Sequence, residues 1–188
     1  MTASPRVAFA AWCDFLAPTE GGFSNDVRDP GNWTSGKPGI GTLKGTKYGI
    51  AASAHPDVDI ANLTLEQADA LRKSEYWDKV NGDALPPSVA FMLADAAYGS
   101  GPYVAASEFQ AMLGVAQDGD VGAETIGALK AAMAKPSAYA LGSGLADVVT
   151  EFASRRLLFE AGLGIWSVDE GGWTRRLFHS VVLALALA

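Results

Sequence analysis

Glu20-Gly21-Gly22-Phe23-Ser24-Asn25-Asp26-Val27-Arg28-Asp29-Pro30-Gly31, continued by Gly45-Thr46-Lys47-Tyr48-Gly49-Ile50, is the stretch around which the rest of the chain is read. An acidic residue leaves the apolar run Phe15-Leu16-Ala17 and meets two glycines that stop a helix. A polar loop follows, with two more carboxylates and a Pro-Gly turn. This is a way to place an acid at a cleft.

Cleavage of a glycosidic bond needs two carboxyl groups in unequal environments, one protonated to donate to the leaving oxygen and one ionised. Glu20, beside Phe23 and the apolar run, is the candidate acid; Asp29, in a Gly/Pro-rich polar loop, is the candidate anion. The same residues also read as a helix end followed by turn formers, with Asp26 and Asp29 leading into Pro30 and Gly31.

The string E-G-G-F-S-N-D-x-x-D-P-G, then T-K-Y-G-I, then Tyr76-Trp77, and later Asp118-Gly119-x-x-Gly122-x-x-Thr125 resembles glycoside hydrolase family 108, the phage-type N-acetylmuramidases that cleave peptidoglycan. The resemblance runs from about Phe9 to about Arg176. It implies a mainly α, lysozyme-like fold with a small β-hairpin or irregular loop region after the first helix. It also implies hydrolysis of the β-1,4 bond between N-acetylmuramic acid and N-acetylglucosamine, with Glu20 as catalytic acid. A looser similarity to the lysozymes of T-even phages adds a Glu, eight residues, an Asp, and a Thr shortly after. Glu20 and Asp29 have that spacing; Thr46 is the best match for the third member, although residues 32–45 look like an insertion and Thr34 and Ser35 stand nearer in number. The candidate catalytic set is therefore Glu20, Asp29 and Thr46. Candidate substrate-binding residues are Tyr48, Asp26, Trp33 and Trp77. Trp33 could stack on a sugar or pin a long loop, and Trp77 could wall a cleft or fill the core.

The 188 residues are 49% hydrophobic and 19% charged, which suits a folded chain with a substantial core. A net charge of -7 argues against nucleic acid, whose phosphates call for clustered Lys and Arg. The same charge does not favour adhesion to an anionic surface, so affinity for peptidoglycan should come from a groove. The single cysteine, Cys13, excludes an internal disulfide. With only His55 and His179 beside it, a Cys/His zinc site is hard to assemble. Cys13 reads as core filler, with a Cys13/His55 thiol hydrolase as the minor alternative. No cofactor and no metal are expected.

Helices are expected over residues 5–16, from Thr64 as N-cap with Gln67 completing a capping box, over 89–98 after Pro86-Pro87, over 105–113, over 143–162 and over 173–187. Tyr48-Gly49-Ile50 is a candidate strand. Asp95, alone among apolar neighbours in the central helix, must be paired or hydrogen-bonded. Asp118, Asp120 and Glu124 lack the spacing of an EF-hand loop. The Gly172-Trp173-Thr174-Arg175 pattern again resembles family 108. The eight apolar residues 181–188 fall short of the roughly 20 needed to span a bilayer. Val182, Leu183, Leu185 and Leu187 are expected to pack on the body or on a partner.

The expected organisation is a catalytic region over residues 1–100 and a helical peptidoglycan-binding-like region over 101–188. The chain reads as a monomeric, endolysin-like wall hydrolase, expected to be made in the cytoplasm without a signal peptide and to act in the periplasm or wall after holin-dependent release or as part of a phage-like particle. The alternatives are a lytic transglycosylase and a non-catalytic wall-binding or secretion accessory.

Overall fold

The computed structural model describes residues 3–16, 22–137, 144–164 and 166–188, leaving aside the side chains of 166–170. Glu20, with Thr19, Gly21 and Ser143, lies outside the described residues. The described chain is mainly helical: α1 (Pro5–Leu16), β1 (Thr46–Lys47), β2 (Ile50–Ala51), α2 (Leu65–Arg72), α3 (Pro87–Ser100), α4 (Pro102–Leu113), α5 (Ala123–Met133), α6 (Gly144–Ala161) and α7 (Trp166–Ala186). It divides into two compact units, Met1–Trp12 with Ser74–Ala188, and Cys13–Lys73. Within the first unit α3 and α4 pack on each other.

In the first unit α3 is the central helix, buried continuously from Ser88 to Ala97. Trp77 belongs to its core: it is fully buried, its indole N–H donates to Asp83 Oδ1 at 2.8 Å, and its ring meets Phe9 edge-on at 5.3 Å. A Cβ on Gly82 would lie 2.5 Å from the Trp77 ring, so the residue at 82 must be glycine for the indole to seat. The expected substrate-binding role of Trp77 is thus corrected, since a ring with no exposed face cannot wall a cleft.

Asp95 is fully buried and paired as the apolar surroundings require: Arg156 donates to Oδ2 at 2.5 Å and Arg176 to Oδ1 at 2.7 Å. Burial alone would push the carboxyl up, but the two guanidinium charges outweigh it and hold Asp95 below the usual carboxylate range. In the Asp118–Thr125 turn, buried Gln110 donates to Asp118 Oδ1, Asp120 O and Thr125 Oγ1 and accepts from Gly119 N–H at 2.9 Å. One amide therefore satisfies the turn from inside, and Gly119 at φ 77° lets Tyr103 lie against it.

Two helices begin three or more residues before the expected start. Pro102 sits in the first turn of α4, where its missing N–H costs nothing, so the helix begins three residues early. Helix α7 begins at Trp166 and runs through Gly171 and Gly172, which weaken a helix without ending it. Its buried positions are Leu177, Ser180 and Ala184, whereas Phe178, Val182 and Leu183 face outward. Of the two expected places for Val182 and Leu183, the body or a partner, the body is corrected: the small residues Ser180 and Ala184 allow close approach, and Val182 and Leu183 sit on the other face. No helix among the described residues is long and apolar enough to cross a membrane.

The second unit, Cys13–Lys73, has its own small core of Ile50, Ala52, Ile60, Leu63 and Ala68, with Tyr48, Val58 and Leu71 packed on it. The capping box forms as read: Gln67 N–H donates to Thr64 Oγ1 at 3.2 Å and Thr64 N–H to Gln67 Oε1 at 2.9 Å. Arg72, fully buried, reaches Asp69 Oδ1 at 2.6 Å and the Tyr48 carbonyl, so α2 is tied to the hairpin.

Candidate functional site

Pro30–Asn32 forms a single 3-10 turn capped by Asp29, whose Oδ1 accepts from Gly31 N–H at 2.8 Å. The proline suits the first position of the turn and the carboxylate serves the free amide beyond it. Among the described residues, the other Asp29 oxygen accepts no hydrogen bond, and Asp29 is solvent-exposed. The carboxylate is thus fixed by one oxygen and open at the other.

The hairpin that carries Thr46 is joined to this turn from both sides. Strands β1 and β2 pair antiparallel with Lys47 opposite Ile50, leaving Tyr48-Gly49 as the two-residue turn. Both have positive φ, 52° and 75°, which is the type I′ geometry that matches strand twist. Tyr48-Gly49-Ile50 is therefore not a strand: only Ile50 enters one, and Tyr48 and Gly49 reverse the chain. On the other edge, Thr46 exchanges both backbone hydrogen bonds with Ser24 at 2.8 Å. Gly45, at φ 86°, lets Ser24 and Phe23 pass, since a Cβ there would come within 2.5 Å of the Ser24 carbonyl.

Gly31 lies close to both of these candidate catalytic side chains. A Cβ built on it would lie 3.2 Å from Asp29 Oδ1 and 3.8 Å from Thr46 Oγ1, so a carboxylate and a hydroxyl flank one bare backbone position. Its carbonyl accepts from Ser53 N–H at 3.0 Å, which fastens the turn to the chain after β2. Buried Asn32 completes the fastening: Nδ2 donates to the Asp26 carbonyl at 3.0 Å, and its own carbonyl accepts from Lys44 and Gly45 N–H, both at 3.0 Å. Gly31 and Asn32 were not singled out from the sequence. The sign available there was only a Pro-Gly-Asn turn next to a candidate carboxylate.

The insertion over residues 32–45 folds on itself. Thr34 Oγ1 accepts from Thr42 N–H at 3.0 Å and Ser35 Oγ donates to the Ile40 carbonyl at 2.7 Å. Thr34 and Ser35 thereby serve the insertion. Lys44 and Lys47 donate to the carbonyls of Pro56 and Ala61, at 2.6 and 3.0 Å. Trp33 donates its indole N–H to the Val27 carbonyl at 2.9 Å, which pins the 22–33 loop, and its ring stays partly exposed.

Asp26 is engaged by its neighbour. Arg28 donates Nε to Oδ1 at 3.0 Å and Nη2 to Oδ2 at 2.7 Å, and the side-chain hydrogen bond of Arg28 first, then its backbone N–H, holds Asp26 below the usual carboxylate range. Cys13 is buried, and burial first, then the Asp69 charge, pushes its thiol up to about 12. A thiol that stays protonated at neutral pH is no nucleophile, so the Cys13/His55 hydrolase alternative is set aside.

Residues 13–101 match the family model described as Glycosyl hydrolase 108, which bears out the resemblance read from the sequence. The chain is also similar to the structure of Brucella abortus SagA, at 29% identity and a TM-score of 0.74, over 97% of this chain and 96% of that one. No curated protein matches. The family supports a glycoside hydrolase acting on peptidoglycan, and the lysozyme-like helical fold with its small hairpin agrees with this.

Proposed function

On the premise that residues 13–101 are those of a glycosyl hydrolase 108 member, we propose that this chain is an N-acetylmuramidase that hydrolyses the β-1,4 bond between N-acetylmuramic acid and N-acetylglucosamine. The observation that carries the reading is the convergence of Asp29 and Thr46 over Gly31, next to a carboxylate oxygen left open. Glu20 gives the proton to the glycosidic oxygen as the bond to the anomeric carbon breaks. Asp29 stabilises positive charge at that carbon or takes the proton of the attacking water, and Thr46 helps to hold the water. Partly exposed Trp33 and Tyr48 supply surface for the glycan strand. An endolysin-like role in the wall or periplasm, by holin-dependent release or within a phage-like particle, belongs to the same proposal.

The test is a zymogram on purified peptidoglycan with wild type beside Glu20→Gln. The amide keeps size and hydrogen bonding but cannot donate a proton, so clearing should fall by about 10²-fold or more. A variant within about tenfold of wild type would remove Glu20 from the mechanism.

A further inference from the structure

The insertion over residues 32–45 has no place in the proposed chemistry, yet it is rooted in the site. Asn32 follows Gly31, Gly45 precedes Thr46, and the Gly45 N–H donates to the Asn32 carbonyl at 3.0 Å. Backbone pairing of Trp33 with Leu43 closes the neck, and the Thr34 N–H donates to the Thr42 carbonyl at 3.0 Å just beyond it. The Lys37 backbone is held on both sides. Its N–H donates to Ser35 Oγ at 3.1 Å, and its carbonyl accepts from the Ile40 N–H at 3.1 Å. The tip of the insertion therefore has a fixed shape, which is what lets a loop present particular side chains.

Two contacts place that tip on the face of the hairpin that bears Thr46. Residues directly opposite in an antiparallel pair share a face, and Thr46 is opposite Ala51. Ala52 enters the core, whereas Ala51 and Ser53 stay on the outer side. A Cβ on Gly31 would lie 3.7 Å from Ala51 Cβ, and one on Gly36 would lie 3.8 Å from Ser53 Cβ. Positions 51 and 53 are separated by at most about 7 Å of chain. Gly36 and Gly31 thus stand over neighbouring side chains of one outer face.

Lys37 comes next, exposed, and among the described residues its ammonium has no hydrogen-bond or ion-pair partner. Lys44 and Lys47, by contrast, donate to loop carbonyls. Ile40, at the same tip, is 57% exposed. On a chain of net charge -7, an unpaired lysine close to the site is a local exception to a field that repels anions. A cation with aliphatic surface and no aromatic ring suits a short acidic peptide better than the face of a sugar. In peptidoglycan, N-acetylmuramic acid bears such a peptide on its lactyl group, with an acidic second residue within about 7 Å of the point of attachment. We infer that the insertion is the substrate-specificity element of this site, holding the stem peptide of the N-acetylmuramic acid being cut. Lys37 pairs with the carboxylate of the acidic residue, and Ile40 covers its apolar neighbour. The inference rests on the muramidase reading of the hairpin site and extends it from the sugar to the peptide.

The test uses soluble, uncrosslinked glycan strands in two forms, with stems intact and with stems removed by an amidase. Wild type should cleave the stem-bearing form with a kcat/KM about fivefold higher or more. Lys37→Ala should lose about threefold on stem-bearing strands, the scale of an exposed ion pair. Lys37→Glu should lose more and Lys37→Arg little, and all three should match wild type on stem-free strands. Equal cleavage of the two forms by wild type, or the same loss for Lys37→Ala on both, would overturn the inference while leaving the muramidase reading intact. Cleavage of neither form would remove that reading, and binding then decides the role of the insertion. N-acetylmuramoyl-alanyl-glutamate, titrated into the full chain and followed by amide NMR, should shift Ser35, Gly36, Gly39 and Ile40. The shifts should shrink in Lys37→Ala and with the same ligand carrying amides in place of its carboxylates. No shifts at these residues, or equal shifts with the two ligands, would overturn the inference.

Discussion

Asp95→Asn isolates what the buried ion network contributes. The amide keeps the shape of the side chain but removes the charge that both Arg156 and Arg176 face, at 2.5 and 2.7 Å. Among the described residues, Arg156, 6% exposed, then retains only Glu160 as a counter-ion. Removing one partner of a buried pair costs about 3–5 kcal/mol, because the remaining charge stays out of water. That is a large part of the roughly 5–15 kcal/mol that holds an ordinary domain together. With a urea slope of about 2 kcal/mol/M, the unfolding midpoint should fall by roughly 1.5–2.5 M. The pH dependence has a definite sign. Asp95 titrates lower folded than unfolded, so its contribution is complete above the unfolded carboxylate value of about 3.9 and disappears as pH falls through the folded value. The gap between wild type and Asp95→Asn should stay constant from neutral pH to about 5 and close only below about 4. A loss under about 1 kcal/mol at neutral pH, or a gap that closes above pH 5, would refute this account of the network.

The remaining predictions concern the hairpin unit. Gly31→Ala inserts a methyl group 3.2 Å from Asp29 Oδ1 and should lower peptidoglycan cleavage about tenfold or more with little change in melting temperature. An active Gly31→Ala enzyme would show that the spacing over Gly31 is not used. Asp29→Asn should lose far more activity than Asp26→Asn, whose carboxylate is occupied by Arg28; turbidity assays giving the opposite order would exchange their roles. Cys13, with its thiol near 12, should resist alkylation in the native protein at pH 8, and Cys13→Ser should retain lytic activity. Rapid native labelling would contradict the burial of that thiol.

Local chemistry was legible wherever neighbours in sequence settle it. The Thr64–Gln67 capping box needs residues three apart, and it forms as read. Asp95 demanded a partner because its helix neighbours are apolar, but the identity of Arg156 and Arg176, 61 and 81 residues away, depends on packing that spacing does not encode. Glycine was the main source of error. A helix expected from residue 173 leaves Gly171 and Gly172 outside it, yet both lie inside α7, whose packing on α3 and α6 sustains a helix through residues of weak propensity. Tyr48-Gly49-Ile50 is the expected strand, yet Tyr48 takes the left-handed conformation of a tight turn beside Gly49. Trp77 shows the limit of composition: cleft and core both use tryptophan, and only burial distinguishes them. At the site, the Glu-x8-Asp spacing marked Asp29, but the role of Gly31 lies in the side chain it lacks.

The most direct measurement is the mass and stereochemistry of the products released from purified peptidoglycan. Muropeptides ending in reducing N-acetylmuramic acid are predicted, formed by wild type and lost in both Glu20→Gln and Asp29→Asn. If a water held between Asp29 and Thr46 attacks opposite the leaving group, the first reducing end seen by proton NMR is the α-anomer. A β-anomer appearing first would contradict that single displacement and make Asp29 or the substrate acetamido group the nucleophile. Products carrying 1,6-anhydro ends, reducing N-acetylglucosamine, or no new ends at all would contradict the muramidase itself.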